Sequence, residues 1–125
     1  MKTIINTVNA PAPIGPYSQA VKLGNMLYAS GQIAIDAATG ELVVSDITSE
    51  THRVMKNIGA ILEAAGMNFS HVVKTSIFLK DMNNFAAVNE IYGSYFLSEF
   101  PARETVQVSK LPKDVNVEIT VIASL

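Results

Sequence analysis

The sequence predicts an α+β domain, a mixed sheet with two crossover helices on one face. Three observations predict it. Two stretches carry apolar residues at helical spacing, while the others alternate or run apolar at neighbouring positions like strands. The order along the chain is strand, strand, helix, strand, helix, strand, strand. Two helices cover only one face of such a sheet, yet Met26–Ile33, Val72–Leu79 and Val121–Ala123 are apolar on both. A second copy of the chain is the simplest cover, so a closed cyclic oligomer is expected.

Residues Asn9 to Pro16 read as a loop rich in proline and glycine. The loop delivers Tyr17-Ser18-Gln19-Ala20-Val21, and Gly24-Asn25 is a hairpin turn signal. Met26 to Ile33 reads as a buried strand broken by Gly31, which marks a bulge, a close approach to the backbone or a packing glycine. Ala37-Ala38-Thr39-Gly40 is a turn. A helix starts at the N-cap Asp46, buries Ile47, Val54, Met55, Ile58, Ile61, Leu62 and Ala65, and stops at Gly66. His52 and Arg53 fall on its wet face. Val72 to Leu79 is a β-branched strand.

A second helix runs from about Asn83 to Phe96, with Phe85, Val88, Tyr92 and Tyr95 inward and Asn89 beside that stripe. Pro101 cannot continue it. Arg103 then opens a strand in which Thr105 and Gln107 alternate with Val106 and Val108. A guanidinium at a helix-to-sheet junction can grip a carboxylate through two parallel bonds, or be an ordinary surface charge or ion-pair partner. After the turn at Leu111-Pro112-Lys113-Asp114, the last strand spans Val115 to Ala123. Its odd positions are apolar through Val121, and Glu118 lies on the polar side, as a solvated glutamate or a functional one.

Composition narrows the function. The 125 residues, 49% hydrophobic and 16% charged, suit one domain, 1–125, with part of its apolar surface covered. Nine basic and eleven acidic residues give a net charge of −2. No basic stripe marks a nucleic-acid binder. With no cysteine, thiolate catalysis and disulfides are excluded. His52 and His71 are not in metal-ligand spacing. The uncharged run between Lys22 and Asp36 is too short to span a bilayer. No signal-peptide pattern opens the chain, so a cytoplasmic protein is expected and the sequon Asn68-Phe69-Ser70 is set aside.

Several stretches together resemble the Rid family, the reactive intermediate deaminases of YjgF type, and its RidA branch most. They are Ala12-Pro13-Ile14-Gly15-Pro16-Tyr17-Ser18-Gln19-Ala20, Ser30-Gly31-Gln32-Ile33, Pro101-Ala102-Arg103, Val106-Gln107-Val108, Leu111-Pro112-Lys113-Asp114 and Val117-Glu118-Ile119. The resemblance runs from Asn9 to Ala123. It implies a chorismate-mutase-like fold and a homotrimer around a central β-barrel, with active sites between subunits. It also implies hydrolysis of 2-imino acids and their enamines, such as 2-iminobutanoate and 2-iminopropanoate, to 2-keto acids and ammonia. Such intermediates leave pyridoxal-phosphate-dependent dehydratases. No cofactor or metal is implied.

By the same resemblance, Arg103 would hold the substrate carboxylate and Glu118 would orient the attacking water. The Gly31 carbonyl, within Ser30-Gly31, would accept from the substrate nitrogen. The Thr105 amide would assist at the carboxylate, Tyr17 would line the cleft, and Asn89 matches a less specific position. The chain departs from the family pattern at Glu104 and Thr105, where a serine or threonine and then often a cysteine stand. It departs again at Thr120, which replaces a frequent acidic residue. Alternation turns Glu104 away from Thr105, so its effect should be small.

The main alternative is a module that binds a small carboxylate metabolite in the same cleft without turnover, though a sensor gains little from Glu118. Nucleic-acid chemistry conflicts with the charge balance. A holdase-like chaperone role has no sequence feature behind it.

Overall fold

A computed structural model describes residues 1–125. Its elements in chain order are β1 (Lys2–Ile5), β2 (Ala20–Leu23), β3 (Met26–Ala29), α1 (Ile47–Ala64), β4 (Val72–Leu79), α2 (Phe85–Gly93), β5 (Ala102–Gln107) and β6 (Val117–Ser124). The strands form one sheet in the order β1-β2-β3-β6-β4-β5. Only β4 and β5, joined by α2, run parallel; the other neighbours are antiparallel. The mixed α+β sheet is therefore as expected.

The helix ends follow local chemistry. Asp46 caps α1 by accepting from Ser49 N–H at 2.7 Å. Gly66, at φ 74°, takes the left-handed turn that ends it. Leu27, Met55, Ile58, Ile61, Leu62, Ile77, Leu79 and Ile119 are fully buried between the helices and the sheet. Each such side chain contributes about 1.5–3 kcal/mol relative to exposure.

Several boundaries differ from the sequence reading. Strand β1 was not anticipated; it pairs with β2 at the sheet edge, Lys2 opposite Leu23 and Ile5 opposite Ala20. The strand expected over Met26–Ile33 ends at Ala29. The chain breaks at Ser30-Gly31 and rejoins through Gln32, whose N–H and C=O both pair with Ile119 at 2.8 and 3.1 Å. Helix α2 stops at Gly93, and Tyr95 N–H and Phe96 N–H close tighter turns onto Tyr92 and Gly93 carbonyls.

β6 begins at Val117 because Lys113 and Asp114 are left-handed, at φ 53° and 55°. The fully buried Glu50 carboxylate then takes the Asn116 amide at 2.8 Å and the Val117 amide at 3.3 Å. His52 and Arg53 are half-buried rather than wet. His52 Nδ1 lies 2.9 Å from the Tyr95 hydroxyl, because α2 and its exit pack against α1 on that side.

The helices cover the side of Leu27, Ile77 and Ile119. Strand pairing puts Ile4, Val21, Tyr28 and Ile122 in one row on the other side. Ile4 and Tyr28 are exposed at 51% and 46%, so this apolar face is open in a single chain. No helix is long and apolar enough to cross a membrane.

Candidate active site

Glu118 comes from the alternation of β6, where Val117 and Ile119 are buried toward the helices and Glu118 is turned the other way. The Gln32–Ile119 bridge draws Gly31 over its carboxylate. A Cβ on Gly31 would collide with Glu118 Oε2 and lie 3.0 Å from its Cδ, so only glycine lets the two groups lie together. The Gly31 carbonyl accepts no hydrogen bond within the chain. Ser30 is committed: its Oγ donates to the Ser18 carbonyl at 2.6 Å and its N–H to the Gln19 carbonyl at 2.9 Å.

Tyr17, Ile14, Pro11, Ile33 and Lys113 complete a cleft of about 400 Å³ beside Glu118. No cation pairs with the carboxylate, since the chain's ion pairs are Lys74–Glu104 and Lys80–Asp114. Partial burial therefore acts unopposed and pushes the Glu118 pKa above the ordinary glutamate value. A carboxylate so placed is a stronger base toward water than an exposed glutamate. Gly31→Ala should push this carboxylate aside and lower kcat/KM for the imine hydrolysis that the resemblance implies about 100-fold, an effect typical of misplacing a reacting group by about 1 Å. Steady-state kinetics and a thermal melt check it. Native kinetics in a folded Gly31→Ala protein would contradict the arrangement.

Arg103 stands on the edge strand β5, opposite Thr75 in register and facing α2. Its Nη1 donates to Asn89 Oδ1 at 2.6 Å. Its Cζ lies 5.3 Å from the Tyr92 ring centre and 5.6 Å from that of Phe85, so two aromatic faces brace the guanidinium. Tyr92 is fixed in turn, its hydroxyl donating to Thr75 Oγ1 at 3.0 Å. Burial raises the Tyr92 pKa, which keeps the phenol neutral beside the cation. Arg103, Asn89 and Tyr92 line a second recess with Phe100 and Pro101. No carboxylate of the chain pairs with Arg103, which leaves donors for one from outside.

Thr105 lies two residues on, on the same side. Val108 N–H donates inward to Leu79 C=O, so ladder alternation turns the Thr105 N–H to the open edge. Glu104 lies on the opposite side, in an ion pair with Lys74 at 2.8 Å and a hydrogen bond from Ser76. The Lys74 bond, then that of Ser76, lowers its pKa. Its charge is thus engaged away from Arg103, as alternation led us to expect.

The structure accordingly forms two groups, Tyr17, Ser30, Gly31 and Glu118 in one and Arg103, Asn89 and Thr105 in the other. Phe78 pairs with both Glu118 and Val106, so Glu118 shares a sheet face with Val106, not with Arg103 or Thr105. The two groups occupy opposite faces, and one chain does not bring them together. Sequence reasoning passed over Gln19 and Gln32, both buried at the cleft. Their side-chain partners are backbone groups, the Thr7 N–H and loop carbonyls for Gln19 and the Ser30 carbonyl for Gln32, and no spacing in the sequence signals these.

Comparison with known proteins gives the family of the chain. Residues 7–125 match the family model described as Endoribonuclease L-PSP. The chain is 57% identical over 123 residues to a RutC family protein of Pyrococcus horikoshii, covering 98% of each. It is 50% identical over 123 residues to the 2-iminobutanoate/2-iminopropanoate deaminase of Capra hircus, covering 98% of this chain and 90% of the goat protein. A solved Rid-family protein of Yersinia pestis superposes with a TM-score of 0.97 at 52% identity over 100% of both chains. On the sequence match and the shared fold alike, the chain belongs to the Endoribonuclease L-PSP family, the family of the Rid proteins.

Proposed function

We propose that the protein hydrolyses 2-imino acids and their enamine tautomers, 2-iminobutanoate and 2-iminopropanoate among them, to 2-keto acids and ammonia. The observation that carries this reading is an unpaired, half-buried Glu118 carboxylate set close against Gly31, whose carbonyl is free. A water held by Glu118 attacks C2 of the imine and gives its proton to the carboxylate. Glu118 returns that proton to the nitrogen to complete the carbinolamine, then passes the hydroxyl proton to the amine, so that ammonia leaves as the carbonyl forms and the carboxylate is restored. The Gly31 carbonyl accepts from the imine N–H, and the fork of Arg103, with the Thr105 amide, holds the substrate carboxylate. Tyr17 walls the cleft, Asn89 aims Arg103, and Ser30 holds Gly31 in place. Imines hydrolyse readily in water, so orientation and charge placement are all the protein must add.

The two half-sites lie on opposite faces of one sheet. A complete site therefore needs Glu118 of one chain and Arg103 of a neighbour. A homotrimer closed through the open apolar face supplies this, with a β-barrel at its centre. The reading carries with it a cytoplasmic setting near the pyridoxal-phosphate-dependent dehydratases that release such imines. A ribonuclease reading, which the family's description suggests, sits poorly with a net charge of −2 and no basic stripe.

The test generates 2-iminobutanoate in situ with threonine dehydratase and follows semicarbazone formation as semicarbazide competes for the imine. The native protein should suppress the semicarbazone and speed ammonia release. Saturable binding of 2-ketobutanoate with no such suppression would replace the deaminase reading with that of a carboxylate-binding module.

A further inference from the structure

The long loop between β1 and β2 forms one wall of the Glu118 cleft through Pro11, Ala12, Ile14 and Tyr17. It has little to hold it. Pro11, Pro13 and Pro16 have no N–H to donate. Within the loop the one backbone–backbone hydrogen bond runs from Tyr17 N–H to the Gly15 carbonyl. The side chain of Gln19 reaches back across it. That side chain is 2% exposed. Its Oε1 accepts from Thr7 N–H at 2.7 Å. Its Nε2 donates to the carbonyls of Thr7 at 3.0 Å, Ala10 at 3.2 Å and Pro11 at 2.9 Å. Two amide hydrogens thus serve three carbonyls, one of them shared. The same residue's backbone carbonyl takes Ser30 N–H at 2.9 Å, next to Gly31.

We propose that Gln19 is a positioning residue that fixes the Thr7–Tyr17 loop as the substrate-facing wall of the cleft, and so sets substrate affinity. It touches no reacting atom. The inference rests on the deaminase reading for its kinetic part and on the hydrogen-bond network alone for its structural part. No other side chain bonds to the loop carbonyls at both Ala10 and Pro11. Without the Gln19 amide, those buried or part-buried carbonyls lose their partner and the wall moves. Glu118 and Gly31 are held by β6 and the Gln32 bridge, so the chemical step is spared.

The experiment compares native protein, Gln19→Ala and Gln19→Glu by steady-state imine hydrolysis and by amide hydrogen exchange. Gln19→Ala should raise KM about tenfold or more while kcat stays within about threefold. Exchange at Thr7, whose N–H loses its Gln19 acceptor, and at Tyr17, whose N–H closes the turn onto Gly15, should quicken about tenfold, with β4 and β6 unchanged. Gln19→Glu keeps the acceptor for Thr7 N–H but sets a carboxylate against three carbonyls. Its KM, relative to native at each pH, should recover as protonation at low pH restores a donor.

Native KM and native loop exchange in Gln19→Ala would overturn the proposal. So would loss of protection over the whole sheet in both variants, which would make Gln19 a core residue and nothing more. If the native protein turns over no imine, the deaminase reading fails by itself. Loop exchange then decides the role of Gln19 without it.

Discussion

Glu118→Gln should lower kcat for imine hydrolysis by about 10²–10⁴-fold, the range expected when a positioned general base is removed. The amide keeps the shape of the side chain and its fit against Gly31, so KM should change little. Only the capacity to take a proton from water is lost. The native pH profile should share the cause. Burial holds the folded pKa above the ordinary 4.5, so the acid limb of kcat should lie above that value and vanish in the variant.

Stability should move the other way. A carboxyl whose folded pKa is raised binds more protons folded than unfolded between the two pKa values. Its stabilising contribution is full below the unfolded value and is lost as pH rises through the folded one. At neutral pH the native protein therefore bears a desolvated charge that glutamine does not. Glu118→Gln should melt at or above the native temperature at pH 7, and the gap should close below pH 4.5. A variant that melts lower and still turns over at the native rate would make Glu118 an ordinary structural residue.

Much of this could be read from the chain because local chemistry dictates it. Asp46 and Gly66 bound α1 through a capping oxygen and a left-handed turn, both visible in the residue types. The parity of β6 put Glu118 opposite Val117 and Ile119 before any pairing was known. Strand β1 was not legible, because three of its four residues are exposed and only the edge of β2 makes it a strand. Nor was the end of β3 at Ala29, since the break depends on Gln32 finding Ile119 far along the chain. The split of the site was equally hidden. It follows from the register that sets Phe78 between Glu118 and Val106, and register between distant strands is a tertiary fact. The Glu50 carboxylate on the Asn116 amide is another such contact: a helix glutamate reads as solvated until the loop it caps is in place.

Arg103→Ala should reduce kcat/KM by about 10- to 150-fold, the loss of a charge-assisted pair of about 1.5–3 kcal/mol. Arg103→Lys should recover little, because an ammonium offers neither the planar fork nor a flat face for Tyr92 and Phe85. Mixing then separates the shared site from a site within one chain. Arg103→Ala subunits keep Glu118, and Glu118→Gln subunits keep Arg103. If Arg103 and Glu118 of each site come from different chains, unfolding and co-refolding equal amounts of the two should regenerate native sites. Random assembly makes these about one quarter of the total. If both residues of a site came from one chain, every site in the mixture would carry one of the lesions and activity would stay at the level of the single variants. The open apolar row of Ile4, Val21, Tyr28 and Ile122 adds an independent check. Tyr28→Glu should weaken assembly, because it sets a charge where that face must be desolvated. It should lower activity only as oligomer is lost, leaving Arg103 braced on Asn89 as before. Activity that follows oligomer content in Tyr28→Glu and recovers on mixing the two site variants would require the cleft to be completed by a neighbour. Full activity in a dissociated chain would require Arg103 and Glu118 to act apart.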